Sequence, residues 1–474
     1  MNQGILFDIL AKRLETMARI GAEFGHPVPA SRQVPLVPFL RPPAVICEIK
    51  KRSPSRGIID AELDPVSQAK LYVEAGVRTV SVLTEEERFG GSLLDLMAVK
   101  NAFPQLSVLR KDFLATEEDI LVSYRAGADA VLLIAGLLDE KTLEARYYQA
   151  RKLGMAVLLE VHNRDDVLKA QRLCPRFTGI NCRDLASFRL DPTLPLRIRP
   201  LIQWNTQVIY ESGIFEPYQA QWTALGQFHG VLVGEGAVRD KTLAPKLVQT
   251  YQPWPRPSFW ARLYSPKVNP GPLVKICGIT SESDLAIVER AGADMAGFIL
   301  APSPRQVSPN FIRNLGGSSV IKVGVVVLEA NQEIPPEIKE LLEEGSLDAL
   351  QFHGQETPEF IKRHAHLGYK ALRPQSAQEC VPWKEIWPPR FLVDAFVPHQ
   401  PGGTGKQVSP EILKALHDQP LWLAGGLGVD NVADVIREWR PELVDASSKL
   451  EKEPGIKDHD KILRFVEEVR IAFP

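Results

Sequence analysis

Short runs of β-branched and aliphatic residues alternate with longer segments of helical period along the whole 474-residue chain. This alternation is typical of βα units, in which helices connect parallel strands. In the first half, eight such runs begin near Val45, Val80, Val108, Ala130, Val157, Thr178, Val208 and Val231. In the second half, eight more begin near Val274, Ala296, Val323, Ala349, Lys370, Leu392, Trp422 and Val444. A doubly wound open sheet shares the alternation, but the count of eight, found twice, favours an α/β protein with two tandem (β/α)8 TIM barrels.

The ends of several predicted helices carry the residues that such turns require. Arg125-Ala-Gly-Ala-Asp129 leads into a predicted strand, and Arg290-Ala-Gly-Ala-Asp294 does the same in the second half. In both segments the glycine suits a helix end that needs a positive φ. Asp64-Pro65 is typical of a helix N-cap followed by a first-turn proline, and Gly76 of the residue that ends this helix. The similarity of the two halves supports a repeated βα architecture.

A cluster of prolines divides the chain near its middle. Its members are Pro253, Pro255, Pro257, Pro266, Pro270 and Pro272. Proline removes backbone donors and resists helices and central strands, so the cluster predicts a linker. We therefore expect one domain at 1–255 and another at 272–474, joined by a proline-rich linker at 256–271.

Charge and cysteine content exclude several classes of protein. The chain has 56 Lys+Arg against 58 Asp+Glu, so it lacks the basic footprint of a nucleic-acid-binding protein. Five cysteines without a C-x-x-C pair indicate neither a disulfide framework nor a zinc site, and they fit a reducing compartment. The longest apolar run, 130–138, is far shorter than the roughly 20 residues of a membrane-spanning helix. Charged residues near the amino terminus argue against a signal peptide, so we expect a soluble cytoplasmic protein without membrane or nucleic-acid partners.

In a (β/α)8 barrel, functional side chains come from the C-terminal ends of the strands and the loops that follow. Glu48 and Lys50 lie two residues apart at the end of the first predicted strand, so they share one face of it. Glu48 interrupts an apolar strand, which favours a functional role over a solvated charge run. The ends of strands three, five and six carry Lys111, Glu160, Asn181 and Arg183. Each alone is compatible with an ordinary surface residue, but polar side chains at four strand ends together favour an active site.

The last two strands of the first half end in small residues instead. The seventh is followed by Ser212 and Gly213, and the eighth by Gly234 and Glu235. Glycines at these turns let backbone N–H groups approach an anion, and these two loops are the usual phosphate site of such barrels. The pattern therefore predicts a phosphorylated substrate.

The segments CEIKKRSPSRG, VLRKDF, LLEVHN, GINCRDL, ESGI and VLVGEG together resemble indole-3-glycerol-phosphate synthase over the whole first half. The resemblance implies ring closure of 1-(2-carboxyphenylamino)-1-deoxyribulose 5-phosphate with loss of CO₂ and water. It makes Lys111 the general acid at the substrate carbonyl, and Glu160 the carboxylate that assists proton removal and dehydration. Lys50 pairs with substrate carboxylate and phosphate in this scheme, and which of the two lysines delivers each proton stays open. The rest of the implied site is Glu48, Ser53, Asn181, Arg183, Ser212, Gly213, Gly234 and Glu235, the last through its backbone N–H.

The second half carries a cysteine at the end of its first predicted strand. Cys277 lies two residues after Lys275 and suits proton abstraction if its pKa is lowered, although a free cysteine in a strand is more often a small buried hydrophobe. Asp394 ends the sixth strand, where the alternative is a helix cap or turn residue. An acid and a base across a barrel mouth suit enolisation of a sugar phosphate. Phosphate-site signals follow the last two strands at Gly425, Gly426, Ser447 and Ser448.

KICGIT, SPRQVS, VGVVV, QFHG, VDA, GGTG, LAGGLG and DASS together resemble phosphoribosylanthranilate isomerase over the whole second half. The resemblance implies an Amadori rearrangement, in which Asp394 protonates the furanose ring oxygen and Cys277 removes the C2 proton. It also implies that Arg305 grips the anthranilate carboxylate, and that Gly402 and Gly403 of the GGTG segment contact the substrate.

The second half departs from this family at two places. Residues 408–410 read Val-Ser-Pro where Phe-Asp-Trp is usual, and Lys449 stands where a glycine is usual. Both positions belong to predicted loops, so they bear on loop closure and phosphate geometry. Two strand-end histidines, His162 and His353, are interpreted as structural.

The two resemblances together imply a bifunctional tryptophan-biosynthesis enzyme whose second half makes the substrate of the first. We expect no metal and no cofactor, because proton transfer and decarboxylation of this substrate need neither, and we expect a monomer. One rival for the second half is an aminoimidazole-carboxamide ribonucleotide isomerase, which uses aspartate where this chain has Cys277. The other alternative is that one barrel is a silent phosphate-binding scaffold or regulatory module. The presence of Lys111, Glu160, Cys277 and Asp394 argues against it, because binding alone needs only the glycine loops and cations.

Overall fold

A computed structural model of the chain describes residues 5–40, 44–53, 57–183, 190–252, 258–265, 271–330, 332–384, 386, 390–395, 407–417 and 419–473. These residues divide into two compact units, and each unit contains one closed barrel of parallel strands. The prediction of two eight-stranded barrels is confirmed.

The first barrel has eight parallel strands among the described residues. They follow chain order around the ring, and the pair Val45 and Val231 joins the first strand to the last. The strands of this unit are β1 (Ala44–Ile49), β2 (Arg52–Ser53), β3 (Gly57–Ile58), β4 (Thr79–Leu83), β5 (Ser107–Lys111), β6 (Ala130–Ile134), β7 (Ala156–Val161), β8 (Phe177–Asn181), β9 (Gln207–Glu211) and β10 (Gly230–Val233). Strands β2 and β3 form an antiparallel hairpin outside the ring.

Helices follow the strands of the first barrel, and their ends carry the expected signals. The Asp64 side chain accepts a hydrogen bond from the Ser67 N–H at 2.7 Å, which caps the predicted helix, and Gly76 has a φ of +90° just beyond its end. The helices are α1 (Ile5–Ile20), α2 (Pro65–Glu74), α3 (Leu93–Ala102), α4 (Glu117–Arg125), α5 (Glu140–Lys152), α6 (Arg164–Leu173), α7 (Leu194–Ile198), α8 (Pro217–Leu225), α9 (Glu235–Arg239) and α10 (Leu243–Thr250), with 3₁₀ turns at Ala135–Leu137 and Arg199–Leu201.

The second barrel repeats this plan in the described part of its chain. Its ring closes between β11 and β18, where Val274 pairs with Val444. The strands are β11 (Leu273–Cys277), β12 (Met295–Ile299), β13 (Ile321–Val326), β14 (Ala349–Phe352), β15 (Gly368–Leu372), β16 (Phe391–Val393), β17 (Trp422–Leu423), β18 (Leu443–Ala446), β19 (Glu451–Glu453) and β20 (Ile456–Lys457). The last two strands form a short antiparallel hairpin directly after β18.

The helices of the second unit include one ahead of its first strand. They are α11 (Phe259–Leu263), α12 (Glu282–Arg290), α13 (Pro309–Asn314), α14 (Pro336–Glu343), α15 (Pro358–His364), α16 (Val381–Lys384), α17 (Pro410–Ala415), α18 (Val432–Trp439) and α19 (His459–Ala472), with 3₁₀ turns at Ala377–Cys380 and Ser448–Leu450. The paired glycines predicted to end α4 and α12, Gly127 and Gly292, have φ values of +99° and +76°.

Helix α11 lies inside the interval 256–271 that the prolines predict as a linker. Its Trp260 is buried in the second unit, where the indole N–H donates to the Ala365 carbonyl at 2.9 Å and the ring lies 5.9 Å from that of Trp422. Residues 253–257 and 266–270 lie outside the described part of the chain. The predicted domain boundaries therefore stay predictions.

Burial explains why the strands could be predicted from the sequence. All six residues of β1 are buried, and so are all five of β4 and all six of β13. A strand that is covered on both faces contains a nearly continuous run of apolar residues, because the ring interior and the helix layer both exclude water. The same burial makes a charged residue in such a strand conspicuous, and these exceptions lie at the C-terminal ends of the strands.

Candidate active sites

One cavity at the C-terminal ends of the first barrel's strands collects every residue predicted for this half. Its lining includes Glu48, Lys50, Ser53, Lys111, Glu160, Asn181, Arg183, Ser212, Gly213, Gly234 and Glu235. These side chains come from six different strand ends or the loops after them, so only the closed ring brings them together. Their placement fits the prediction, and their roles are taken up as a proposal below.

Lys111 lies among carboxylates at the end of β5. Its Nζ atom lies 3.1 Å from Glu211 Oε2 and 3.4 Å from Glu160 Oε2. The Asn181 amide donates to Glu160 Oε2 at 3.4 Å, so one carboxylate oxygen of Glu160 faces both groups. The ammonium is therefore held at one point of the cavity by two charged hydrogen bonds.

The electrostatics of this cluster follow from its burial. Burial lowers the pKa of Lys111, but the carboxylates of Glu211 and Glu160 outweigh burial and raise it above its ordinary value. Burial raises the pKa of Glu160, whereas Lys111 and His162 lower it more strongly, so this carboxyl is ionised. Burial and the negative charge of Glu160 together raise the pKa of Glu211. Two adjacent buried carboxyl groups thus differ in their affinity for a proton.

Glu211 is a candidate site residue that the sequence reasoning missed in this half. It ends β9, is fully buried, and approaches so close to β8 that a Cβ on Gly179 would lie 1.9 Å from its Oε1. Gly179 therefore provides the space for this carboxylate. The signal was present, because Glu211 interrupts an apolar strand just as Glu48 does.

Glu48 and Lys50 form a second ion pair at the mouth. Glu48 Oε1 lies 2.8 Å from Lys50 Nζ, and the Ser81 hydroxyl lies 3.5 Å from the other carboxylate oxygen. Burial raises the pKa of Glu48, but Lys50 and Lys111 lower it more strongly. A Cβ on Gly234 would lie 2.6 Å from Glu48 Oε1, so the turn after β10 needs glycine to pass this pair.

His162, which the sequence reasoning treated as structural, does not line the cavity but contacts Glu160. Its Nε2 lies 3.0 Å from Glu160 Oε1, and its Nδ1 lies 3.6 Å from Asp166 Oδ2. Burial lowers the pKa of His162, but the carboxylate of Glu160 overcomes burial and the pKa rises to about 9. A charged His162 therefore stabilises Glu160 as an anion.

The loops after β9 and β10 pack against each other behind the predicted phosphate site. A Cβ on Gly236 would lie 2.2 Å from the Ile214 carbonyl, so only glycine fits. Ser212 and Gly213 both have a φ of +75°, which turns the chain sharply at the end of β9. Glu235 Oε1 lies 2.9 Å from Nε of Arg239, which is one turn further along α9.

Apolar side chains also line the cavity, and together they are called its apolar wall. They are Leu6, Leu83, Phe89, Phe113, Leu132, Ile134, Ile214, Phe215 and Leu232. The rings of Phe89 and Phe113 lie 6.1 Å apart between centroids. A lining with both apolar and charged side chains suits a ligand that has an aromatic part and anionic groups.

Helix α1 is fastened beside this cavity by buried charges. Arg13 of α1 donates to Asp112 Oδ1 at 2.9 Å and to Asp119 Oδ1 at 2.7 Å. Asp112 directly follows Lys111 and also pairs with Arg110 at 2.9 Å. The helix that contributes Leu6 to the apolar wall is therefore tied to the strand that carries Lys111.

In the second barrel, Cys277 lies at the end of β11 with its thiol buried. A Cβ on Gly297 would lie 2.8 Å from Cys277 Sγ, so the neighbouring strand needs glycine there. Burial raises the pKa of Cys277, while Lys275 opposes the rise. Lys275 is itself fully buried and pairs with Asp445 at 2.5 Å.

Asp394 follows β16 and is almost fully buried. Burial raises its pKa to about 6. The Ala395 N–H donates to Asp394 Oδ1 at 2.8 Å, and His353 Nε2 lies 3.7 Å from Oδ2. The sequence reasoning treated His353 as structural, but the structure places it beside the predicted general acid.

Arg305 already has a carboxylate partner within the chain. Its Nε and Nη2 donate to the two oxygens of Glu451 at 2.7 and 2.8 Å, and Lys457 Nζ lies 2.9 Å from the same carboxylate. The Ser447 hydroxyl donates to the Cys277 carbonyl at 2.9 Å. The hairpin of β19 and β20 therefore orients Arg305 beside the predicted base, and Glu451 is a second residue that the sequence reasoning missed.

Both predicted phosphate loops of this barrel lie within the described residues, whereas the GGTG segment does not. Gly425 and Gly426 have φ values of +91° and +63°, so both adopt a backbone conformation that favours glycine. Ser448 opens the 3₁₀ turn that contains Lys449. Gly402 and Gly403 lie outside the described residues.

Lys449, which replaces a usual glycine, lies against Gly428. A Cβ on Gly428 would lie 2.9 Å from the Lys449 Cβ and 3.4 Å from its Cγ. The absent side chain at 428 thus makes room for the lysine stem.

Comparison with known proteins agrees with this division of the chain. Residues 33–249 match the family model of indole-3-glycerol phosphate synthase, and residues 274–468 match that of N-(5'-phosphoribosyl)anthranilate isomerase. A tryptophan biosynthesis protein TrpCF of Buchnera aphidicola subsp. Diuraphis noxia is 30% identical over 436 residues, which cover 90% of this chain and 89% of that protein. The chain belongs to the TrpCF family of tryptophan biosynthesis proteins. Its two units are called the synthase domain and the isomerase domain from here on.

Two longer relatives extend the comparison. A multifunctional tryptophan biosynthesis protein of Schizosaccharomyces pombe is 30% identical and one of Phycomyces blakesleeanus is 31% identical, each over 90% of this chain. This chain spans 59% and 63% of the length of these two relatives. All five of its cysteines are free thiols. Within the described ranges, we find neither a helix long and apolar enough to cross a membrane nor a cluster of side chains that could hold a metal ion.

Proposed function

We propose that the chain catalyses two consecutive steps of tryptophan biosynthesis. The isomerase domain converts N-(5-phosphoribosyl)anthranilate into 1-(2-carboxyphenylamino)-1-deoxyribulose 5-phosphate. The synthase domain then closes this product into indole-3-glycerol phosphate and releases CO₂ and water. The observation that carries the proposal is Lys111, a cationic proton donor held between two buried carboxylates and facing a cavity with one apolar wall.

In the synthase domain, Lys111 donates the proton to the substrate carbonyl oxygen as the ring closes. Its raised pKa keeps it protonated at neutral pH, and Glu211 and Glu160 fix its direction. Glu160 assists proton removal and dehydration, which suits its ionised state beside His162. Lys50 offers its charge to the substrate carboxylate, and the apolar wall accepts the aromatic ring.

The phosphate of this substrate binds at the loops after β9 and β10. Ser212, Gly213, Gly234 and the Glu235 backbone line that end of the cavity. Ser53 and Arg183 complete the polar wall around the sugar. The Glu235 side chain pairs with Arg239, and we assign the phosphate contact at this position to the backbone.

In the isomerase domain, Asp394 opens the furanose by protonating its ring oxygen. A pKa near 6 leaves this carboxyl partly protonated near neutral pH, unlike an exposed aspartate. Cys277 then removes the C2 proton, with the neighbouring Lys275 favouring the thiolate. Arg305 uses two of its five N–H donors on Glu451, and its remaining donors are offered to the anthranilate carboxylate.

The phosphate of the isomerase substrate binds at the loops after β17 and β18. Gly425 and Gly426 turn the backbone there, and Ser447 and Ser448 add hydroxyl groups. We also assign Gly402 and Gly403 to substrate binding, on the strength of the GGTG segment alone.

The deciding experiment supplies phosphoribosylanthranilate to the purified chain and follows indole-3-glycerol phosphate by fluorescence and mass spectrometry. Formation of this product supports both activities. Accumulation of the carboxyphenylamino-ribulose phosphate would leave the synthase domain silent. Conversion of directly supplied carboxyphenylamino-ribulose phosphate, without consumption of phosphoribosylanthranilate, would leave the isomerase domain silent.

The proposal includes a monomer that works in the cytoplasm, with the two domains separable near the proline cluster. Light scattering on the purified chain measures the first point, and a fluorescent fusion in cells measures the second. Fragments 1–255, 258–474 and 272–474 test the third. Because fragment 272–474 lacks Trp260, which is 1% exposed, we expect it to be less stable than 258–474 by about 3–5 kcal/mol. Activity that returned only on mixing insoluble fragments would contradict separability.

A further inference from the structure

The interior of the isomerase domain contains a line of polar side chains that ends at Asp394. Lys275 Nζ donates to Gln351 Oε1 at 2.9 Å, and the Gln351 amide nitrogen lies 3.0 Å from His353 Nδ1. His353 Nε2 in turn lies 3.7 Å from Asp394 Oδ2. All four side chains are buried, so water does not compete for these contacts.

The orientation of the Gln351 amide is fixed by its donors. Lys275 Nζ and the Tyr369 hydroxyl both approach the same atom, Gln351 Oε1, at 2.9 and 3.0 Å. An ammonium carries three donors and no acceptor, so the atom that faces it must be the carbonyl oxygen. The Gln351 NH₂ group therefore faces His353 and donates to Nδ1.

This donation determines the tautomer of His353. A ring nitrogen that accepts a hydrogen bond carries no proton, so in a neutral ring the proton resides on Nε2. The ring is neutral near pH 7, because burial, together with Lys370, Arg373 and Lys275, lowers the pKa of His353 to about 3. An N–H group is thus directed toward Asp394.

We propose that Gln351 and His353 are positioning residues for Asp394, the general acid of the proposed isomerase reaction. The fixed Nε2–H cannot accept a proton, so the proton of Asp394 is reserved for the substrate ring oxygen. When Asp394 has given up this proton, a small rotation closes the 3.7 Å gap and the N–H stabilises the carboxylate. The other oxygen is already held by the Ala395 N–H.

The first test reads the tautomer directly and needs no catalytic activity. In the full chain labelled with ¹⁵N-histidine, the His353 signals are identified by their loss in His353→Gln. We expect a protonated Nε2 and an unprotonated Nδ1 in the wild type. Gln351→Glu should move the proton to Nδ1, because a carboxylate only accepts. A wild-type His353 with its proton on Nδ1 would overturn the proposal even if both enzyme activities are present.

The second test measures isomerase kinetics, with synthase activity as the folding control. Gln351→Glu should lower kcat by about tenfold or more while KM changes little, because Asp394 then faces a proton acceptor. Tyr369→Phe is the matched control. It removes one donor to the same oxygen, but Lys275 still fixes the amide, so kcat should stay within about twofold.

Two substitutions at His353 separate positioning from packing. His353→Gln keeps an N–H donor and should retain more activity than His353→Met. His353→Met should also shift the basic limb of the kcat profile to higher pH, since loss of a donor to the carboxylate raises the pKa of Asp394. Lys275, Arg373 and Asp445 also act on Asp394 and are unchanged in both variants. If His353→Gln and His353→Met lose equal isomerase activity and the pH profile does not move, His353 only fills space. These two variants decide the question if Gln351→Glu does not fold.

Discussion

Replacing Lys111 with methionine tests the chemistry of the synthase domain. The substitution keeps a long, unbranched side chain but removes the ammonium that lies 3.1 Å from Glu211 and 3.4 Å from Glu160. Because the proton donor is then absent, synthase kcat should fall by about 10²–10⁴, the usual contribution of a general acid. Isomerase activity of the same molecules should stay within about twofold, because separate sites act independently.

The same substitution should destabilise the synthase domain. The Glu160 and Glu211 side chains are 3% and 0% exposed, so loss of Lys111 leaves them without their shared cation. Removing one partner of a buried ion pair typically destabilises a protein by about 3–5 kcal/mol. The remaining carboxyl groups take up protons more readily when folded than when unfolded. Stability of the variant should therefore rise as pH falls below neutral.

A double variant separates lost chemistry from lost stability. Lys111→Met combined with Glu211→Gln removes the cation together with one adjacent carboxylate, so most of the lost unfolding free energy should return. Synthase activity should not return, because the proton donor is still missing. Urea unfolding followed by circular dichroism at several pH values measures the first effect, and fluorescence of indole-3-glycerol phosphate measures the second.

Two results would refute this reasoning. A Lys111→Met protein that keeps more than about a tenth of its synthase activity contradicts the general-acid assignment. A double variant that recovers activity along with stability would show that the single variant had lost its site geometry rather than its proton donor.

Three further predictions concern the glycines and the thiol. Cys277→Ser should nearly eliminate isomerase activity and leave synthase activity intact, because a hydroxyl is a far weaker acid than a thiol and stays protonated. Near wild-type turnover would make Cys277 structural. Gly179→Ala should displace Glu211, since its Cβ would lie 1.9 Å from the carboxylate, and should lower synthase kcat by about 10²-fold. Gly428→Ala should lower the unfolding free energy by about 1–3 kcal/mol, because the new Cβ would contact Lys449. The loss should be much smaller when Lys449→Gly is also present, and a double-mutant cycle of urea unfolding measures this coupling.

The strand pattern was predictable because each strand is covered on both faces. The predicted starts at Val80 and Val231 lie one residue inside β4 and β10, and the largest deviations, at Val323 and Lys370, are two residues. Helix α11 was not predictable, since five helical residues between prolines are too few to show a period. Its burial depends on aromatic side chains from distant strands.

The candidate site was predictable where a single polar residue stands at a strand end. A buried strand would otherwise continue there with an apolar residue. The residues predicted in this way include Lys111, Glu160, Cys277 and Asp394. Partners that are distant in sequence could not be assigned, because no local pattern links them. Arg305 and Glu451 are 146 positions apart, and their bidentate pair exists only when the barrel closes.

His353 illustrates the same limit at the level of a single proton. Its position after β14 was visible in the sequence, but its tautomer depends on the orientation of Gln351, which depends on Lys275 from another strand. The residues near His353 in the sequence therefore could not show which ring nitrogen carries the proton.

The two domains solve opposite electrostatic problems with the same fold. In the proposed synthase reaction the acid must stay charged although it is buried, and the flanking carboxylates raise the pKa of Lys111 against the effect of burial. In the proposed isomerase reaction the acid must stay neutral until it reacts, and burial, together with the Asp445 carboxylate, raises the pKa of Asp394 to about 6. Burial also raises the pKa of Cys277, which disfavours the thiolate that the proposed base requires, and Lys275 and Lys457 oppose that rise. Lys275 also fixes Gln351 at its other contact, so one buried cation contacts the surroundings of both the proposed base and the proposed acid.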